Sequence, residues 1–296
     1  MFNVASAITQ GLAFAISWAY ARLLNEEEKM AIKLVALDLD DTLLDPNLII
    51  SAASIRSIQK VRQRGIKITI STGRMFLSAL PYALQMGLDI PFITYQGAWV
   101  RNSLSKQELY YRPVPFELAH EVMGILKGLG VHYHSYFNDC LVMEALSEEG
   151  KAYSRLAGVQ PTVVKDIMKG LENNDAMKIM AISPDAREVL EIEQYLKSIH
   201  GDKLHITRSK PHYLEIMHPE ADKAKALEVL ARHYKIDRQE VMAIGDSYND
   251  MEMITWAGVG VAMGNSVKAL KDMADFVTAS NMEEGVAAAL HHLILC

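Results

Sequence analysis

The sequence predicts an α/β protein, a parallel sheet covered by helices with a separate α+β module inserted in its middle. Three observations carry this. Short apolar runs alternate with helical patterns over the first third of the chain. The alternation breaks near Pro113–Pro115, where strand patterns outnumber helical ones. It resumes at Asp222 and continues to the C-terminus. The chain of 296 residues is long enough for two domains with proper cores. The boundaries read as 30–112 and 213–296 for the α/β core and 113–212 for the insert, with 1–29 as an N-terminal extension.

In chain order, Val4–Leu24 is apolar but interrupted by Ser6, Thr9, Gln10, Ser17 and Arg22. A spanning helix wants about 20 mostly apolar residues, so this stretch is borderline. It lacks the basic region of a secretory signal. Met30 opens MAIKLVALDLDDTLL, a natural start by itself, so residues 1–29 are expected to be accessory. The alternative is a surface helix for a membrane or a partner, with membrane contact only if the segment is exposed.

Ile32–Leu37 reads as a buried parallel strand delivering acidic residues at its C-terminal end. Ser51 can cap a helix carrying Ile55, Ile58 and Val61 on one side, with Gly65 ending it. Ile66–Ile70 is the next strand, stopping at Ser-Thr-Gly-Arg, and Pro91–Tyr95 is a third. In the middle, Glu108–Val114, Cys140–Glu144, Ala176–Ile182 and Leu204–Thr207 read as strands, Phe116–Leu129 and Ala186–His200 as helices. Pro113–Pro115 and Pro211–Pro219 are the expected linkers. Then follow a helix over Lys223–Tyr234, a strand Glu240–Ile244 ending in Gly-Asp, a helix Asp250–Trp256 and a strand Gly258–Ala262. A helix Ser266–Met273 and a short strand Phe276–Thr278 close the pattern.

Net charge is −6 with no long basic stretch, which argues against nucleic acid as a partner. The two cysteines, Cys140 and Cys296, imply no disulfide framework and no paired-cysteine metal site, so the cytoplasm is the expected compartment.

The chemistry gathers at strand ends. Asp38 and Asp40 share a face two residues apart, at the end where α/β sheets bind ligands. Crowded carboxylates repel, and Mg²⁺ relieves such repulsion through oxygen ligands. Thr72 and Gly73, between a strand and a helix, make an anion site. Lys223 opens a helix and can neutralise a phosphate. Asp246 and Asp250 flank the turn in Gly245-Asp246-Ser247-Tyr248-Asn249-Asp250 and can complete a metal site. Each feature alone has a bland reading: a solvated acidic turn, a common strand-to-helix turn, a surface lysine, an N-cap. In a parallel sheet all four ends meet at one edge, and together they supply a nucleophile, a metal site and phosphate clamps. Mg²⁺ held by Asp38 and Asp246 would cancel charge for in-line attack, and Lys223 and Thr72 would stabilise the transferring oxygens. Asp38, ionised, attacks. Asp40 protonates the leaving alcohol and then activates water, which requires a protonated Asp40 at the first step.

These residues resemble the haloacid dehalogenase (HAD) superfamily. Asp38-x-Asp40-x-Thr42, Thr72, Lys223 and Gly245-Asp246-x-x-Asn249-Asp250 match its motifs I to IV. LVALDLDDTLL, ISTGR, IGDSYNDMEMI and GVGVAMGNS are similar to its Cof-type branch, whose cap is inserted between motifs II and III. The resemblance implies a Rossmann-like core with an inserted α+β cap, Mg²⁺, and phosphatase action on small phosphorylated metabolites such as sugar phosphates. It also implies Asp40 as a metal ligand through its backbone carbonyl and Asn249 as a phosphate contact or support of the metal shell. The implied metal set is Asp38, Asp40, Asp246 and Asp250; the phosphate set is Thr72, Gly73, Lys223 and Asn249. Arg74, Gln96 and Gly97 are candidate substrate contacts.

Two residues depart from the family pattern: Asp41 stands where Gly is usual, and Gln96-Gly97-Ala98 replaces Asn-Gly-Ala. His132 and His134 would share one strand face, open to a metal or, more blandly, to a surface or specificity role. A phosphomutase would use the same Asp38, with a substrate hydroxyl as acceptor. A phospho-accepting signalling module would hold a stable phospho-aspartate, and a phosphosugar-binding regulator would turn nothing over. The insert and the complete acidic set favour the hydrolase. Substrate identity and oligomeric state are not encoded in any readable motif.

Overall fold

A computed structural model describes residues 31–172 and 174–296, so the reading of residues 1–29 lies outside the described residues. Strand β1 (Leu34–Leu37) is buried at every position, which is why it reads as an unbroken apolar run. Helix α1 (Ala52–Gln63) starts where expected: the Ser51 hydroxyl accepts from Ser54 N at 3.0 Å. Strand β2 (Lys67–Ile70) follows, then α2 (Phe76–Gln85) and β3 (Phe92–Thr94).

The third strand does not extend the parallel sheet as expected. It runs parallel beside β2's end through a single bridge between Ser71 and Ile93, with Thr72 N donating to Ile93 O at 3.0 Å and the Thr69 hydroxyl to Pro91 O at 2.9 Å. It pairs instead with β4 (Trp99–Arg101), which pairs with β5 (Glu108–Tyr111), in an antiparallel three-stranded sheet. The reason is local. Tyr95, Gln96 and Gly97 all take positive φ, 52°, 56° and 99°, and fold the chain straight back.

The insert contains α3 (Phe116–Leu129), β6 (His132–Phe137), β7 (Cys140–Met143), α4 (Glu148–Ala157), β8 (Thr162–Val163), α5 (Ile167–Leu171), β9 (Ala176–Ile182), α6 (Ala186–His200), β10 (His205–Lys210) and β11 (Tyr213–Met217). Its sheet runs β10-β11-β9-β6-β7-β8. The segment 211–219, expected as a linker, is largely strand β11, paired to β9 and β10, so this sheet extends beyond residue 212 to Met217. Prolines at both ends disguise five residues that alternate between the sheet's faces. Among the described residues the insert has four helices rather than the expected two; α4 is mostly polar and α5 is only five residues long.

The chain then returns through α7 (Lys223–His233), β12 (Val241–Gly245), α8 (Met251–Trp256), β13 (Val259–Ala262), α9 (Lys268–Met273), β14 (Phe276–Val277) and α10 (Gly285–Leu290). The parallel sheet has the order β14-β13-β12-β1-β2. Strand β1 pairs in register with both β12 and β2, so the ends of all three emerge side by side.

Candidate active site

Asp38 sits where the β1 ladder ends; its N–H still donates to Ile244 O on β12, at 3.0 Å. The chain then turns at Asp41, whose φ of 57° explains why glycine suits this position. Aspartate tolerates the left-handed region, and Asp41 faces solvent. Thr42 donates its hydroxyl to Asp246 Oδ1 at 3.1 Å, tying the first acidic turn to the last.

Lys223 is the first residue of α7, and Asp222 caps that helix by accepting from Ala224 N and Lys225 N. The Lys223 ammonium donates to Asp38 Oδ1 at 2.7 Å and to Asp250 Oδ1 at 2.6 Å, fully buried. Burial works against this ammonium, but Asp250 and Asp38 outweigh it and hold Lys223 above the ordinary lysine range. The other Asp250 oxygen accepts from Asp246 N and Ser247 N, so Asp250 organises the turn.

Asp38, Asp246 and Asp250 place ligand oxygens within 4.8 Å of one another. One lysine cannot balance them. Burial, opposed by Lys223 and reinforced by Asp250 and Asp246, raises the Asp38 carboxyl well above its ordinary value. Burial and then Asp250 push Asp246 up to about 7. The protein atoms alone therefore do not leave Asp38 at the ordinary acidity expected of it. Asp38 and Asp246 line the cavity, and each has one oxygen with no protein donor among the described residues. An all-oxygen, charge-deficient set fits a hard divalent cation.

The remaining expected residues fall into two groups. Arg74, Gly73, Gln96 and Asn249 line the cavity, with Asp40. Arg74 grips Asp40 in a two-pronged fork: Nε donates to Oδ2 at 2.9 Å and Nη2 to Oδ1 at 2.6 Å. Asn249 donates to Gln96 Oε1 at 3.0 Å. Thr72 and Gly97 act from behind. Thr72 Oγ1 accepts from Arg74 N at 3.2 Å and shapes the turn. Gly97 packs against Asp222, where an added Cβ would lie 2.2 Å from the carbonyl oxygen. Gly97 lets α7 approach, and it is not among the residues that line the cavity.

Sequence reasoning missed the insert's share of the site. A cavity of about 130 Å³ lies between the acidic edge and the insert, walled by Tyr153 of α4, Lys178 of β9 and Tyr213 and Glu215 of β11. Lys178 donates to Gly73 O at 2.9 Å and to Glu215 Oε2 at 3.2 Å; Gln96 Nε2 donates to the same Glu215 oxygen at 3.1 Å. Asp139, in the β6–β7 turn, accepts from Phe76 N, Leu77 N and the Tyr95 hydroxyl, at 3.0, 2.8 and 2.6 Å, and so caps core helix α2 from the insert. The available signal was a charged residue inside an apolar strand, as at Lys178 and Glu215.

His132 and His134 do share a face, 3.2 Å apart between Nε2 and Nδ1, but His134 is fully buried rather than a surface residue. With Tyr136 they form a file that runs from half-buried His132 inward to Tyr153. Burial lowers both imidazoles below the ordinary histidine range.

This geometry agrees with comparisons to known proteins. A family profile described as haloacid dehalogenase-like hydrolase matches residues 35–290. The 5-amino-6-(5-phospho-D-ribitylamino)uracil phosphatase YitU of Bacillus subtilis (strain 168) is 30% identical over 269 residues, covering 87% of this chain and 96% of the relative. A haloacid dehalogenase-like hydrolase from Bacteroides thetaiotaomicron superposes with a TM-score of 0.82 at 28% identity, covering 89% of this chain and 100% of that one. The HAD subclass IIB sugar phosphatase BT4131 does so with a TM-score of 0.77 at 25% identity, covering 88% and 98%. With its acidic edge, its helix-borne lysine and its inserted cap, the chain belongs to the haloacid dehalogenase-like hydrolases.

Proposed function

We propose that this protein is a Mg²⁺-dependent phosphatase that hydrolyses phosphomonoesters of small metabolites through an aspartyl-phosphate on Asp38. The observation that carries the reading is the buried Asp38–Lys223–Asp250 chain beside Asp246, opening on a cavity roofed by the insert. Asp38, Asp246 and the backbone of Asp40 would hold the cation, with Asp250 fixing the turn that presents Asp246. When bound, Mg²⁺ supplies the positive charge that keeps Asp38 ionised and lets a carboxylate approach an anionic ester.

The side chains then divide the work. Asp38 attacks phosphorus while Lys223 stabilises charge on the transferring oxygens. The Thr72-Gly73-Arg74 turn and Asn249 set the phosphate's orientation. Asp40, at the cavity side of the same turn, delivers a proton to the leaving oxygen and later takes one from water. That role requires the Arg74 fork to release one carboxylate oxygen, so Arg74 sets when Asp40 is free to act. The relatives' names support small phosphorylated metabolites as substrates. A cytoplasmic setting is supported by two exposed, unpaired thiols, Cys140 and Cys296. Among the described residues no helix is long and apolar enough to cross a membrane.

The test is p-nitrophenyl phosphate hydrolysis with and without Mg²⁺, for the wild type and Asp38→Asn. Mg²⁺-dependent turnover that falls at least about 1,000-fold in the variant is expected. Undiminished turnover by folded Asp38→Asn protein removes the nucleophile from the scheme.

A further inference from the structure

We infer that Glu215 is a specificity-determining residue that accepts a hydrogen bond from the leaving alcohol and selects phosphomonoesters carrying a hydroxyl or amine on that alcohol. The inference rests on the phosphatase reading above. Glu215 is 3% exposed, on a strand whose neighbours Leu214 and Ile216 point into the insert's own core. Both protein donors that reach it, Lys178 and Gln96, use Oε2. Among the described residues no donor reaches Oε1, and the residue lines the cavity. That oxygen is open to the cavity, where a ligand's donor can take the place of water.

The position of this oxygen relative to the chemistry follows from its holders. Lys178 also donates to Gly73 O, next to Arg74, which grips Asp40. Gln96 also accepts from Asn249. Glu215 stands on the insert's wall of the cavity, across from the Asp38–Lys223 edge where the phosphate would sit, so an ester seated at that edge directs its leaving group toward this wall. An ionised carboxylate accepts only, so the ligand must bring a donor. Lys178 gives two of its three N–H donors to Glu215 and Gly73, so its charge is already shared with the Glu215 carboxylate. The Gln96 amide links Asn249 in the core to Glu215 in the insert.

The experiment measures phosphate release in Mg²⁺ from two matched pairs, glycerol 3-phosphate against propyl phosphate and ribitol 5-phosphate against pentyl phosphate. The wild type is expected to prefer the hydroxylated member of at least one pair by about tenfold or more in kcat/KM. Glu215→Gln should cut that ratio by about tenfold, because Lys178 and Gln96 claim the amide oxygen and turn its NH₂, a donor, into the cavity. Turnover of both members without preference overturns the assignment whatever the variant does, and a ratio that survives Glu215→Gln in folded protein overturns it too. Failure to hydrolyse any of these esters or p-nitrophenyl phosphate overturns the phosphatase reading itself.

Discussion

Replacing Asp246 by asparagine separates the charge of the acidic edge from its shape. The amide keeps an oxygen for the Thr42 hydroxyl, now 3.1 Å away. In the wild type, burial and then Asp250 raise the Asp246 carboxyl from 3.8 to about 7. An acid raised in this way keeps its proton in the folded state at pH values where the unfolded chain has lost it. The metal-free fold therefore loses stability as pH rises from about 4 to about 7, and bears the full penalty above that. The interval is about 3 pH units, and at about 1.36 kcal/mol each the ceiling is about 4 kcal/mol. Titration shared with Asp38 spreads the effect, so about 2 kcal/mol is expected for this one group. Urea denaturation in EDTA at about pH 5 and about pH 8 reads it out. Asp246→Asn should be the more stable protein at about pH 8, with less than half of that advantage at about pH 5. Saturating Mg²⁺ should erase or reverse the order, since only the wild type keeps the full ligand set. A variant less stable than wild type at the higher pH without metal would refute the idea that Asp246 is ionised at a cost to the fold.

Two further substitutions test how the site is supported. Gly97→Ala places a Cβ 2.2 Å from Asp222 O at a φ of 99°. It should cost about 2–4 kcal/mol of stability and lower kcat by displacing Lys223; unchanged urea denaturation would contradict the close-approach role. Asp139→Ala removes the cap that the insert lends to α2 and leaves Phe76 N and Leu77 N without their acceptor. Amide exchange at those two positions should accelerate by about 10- to 100-fold, matching a local loss of about 1.5–3 kcal/mol, and unaltered protection would mean that the cap contributes nothing.

How much of this was legible follows from where each residue gets its position. Asp38, Lys223, Asp246 and Asp250 were readable because the elements that carry them are local: an apolar run of four to five residues, then a turn, then a helix start. Parallel pairing does the rest, since it brings separate strand ends to one edge whatever the intervening sequence. The third strand was misplaced because three consecutive positive-φ residues decided its fate, two of them not glycine. Only Gly97 among them signals such a turn in a sequence.

Lys178 and Glu215 stand on the other side of this limit. Each is a charge inside an otherwise apolar strand, Ala-Met-Lys-Ile-Met and Tyr-Leu-Glu-Ile-Met, and opposite charges in two such runs suggest a buried pair. What the pair faces depends on register and on how the insert docks, neither of which is local. β11 pairs Glu215 with Met180, which brings Lys178 to the same face one step along the adjacent strand. The docking of that face then sets Lys178 on Gly73 and Glu215 on Gln96. The acidic edge is thus a property of one domain's topology, whereas the leaving-group wall is a property of two domains meeting. That division lets a chain keep its chemistry fixed while the insert's strands alter which alcohol the wall accepts.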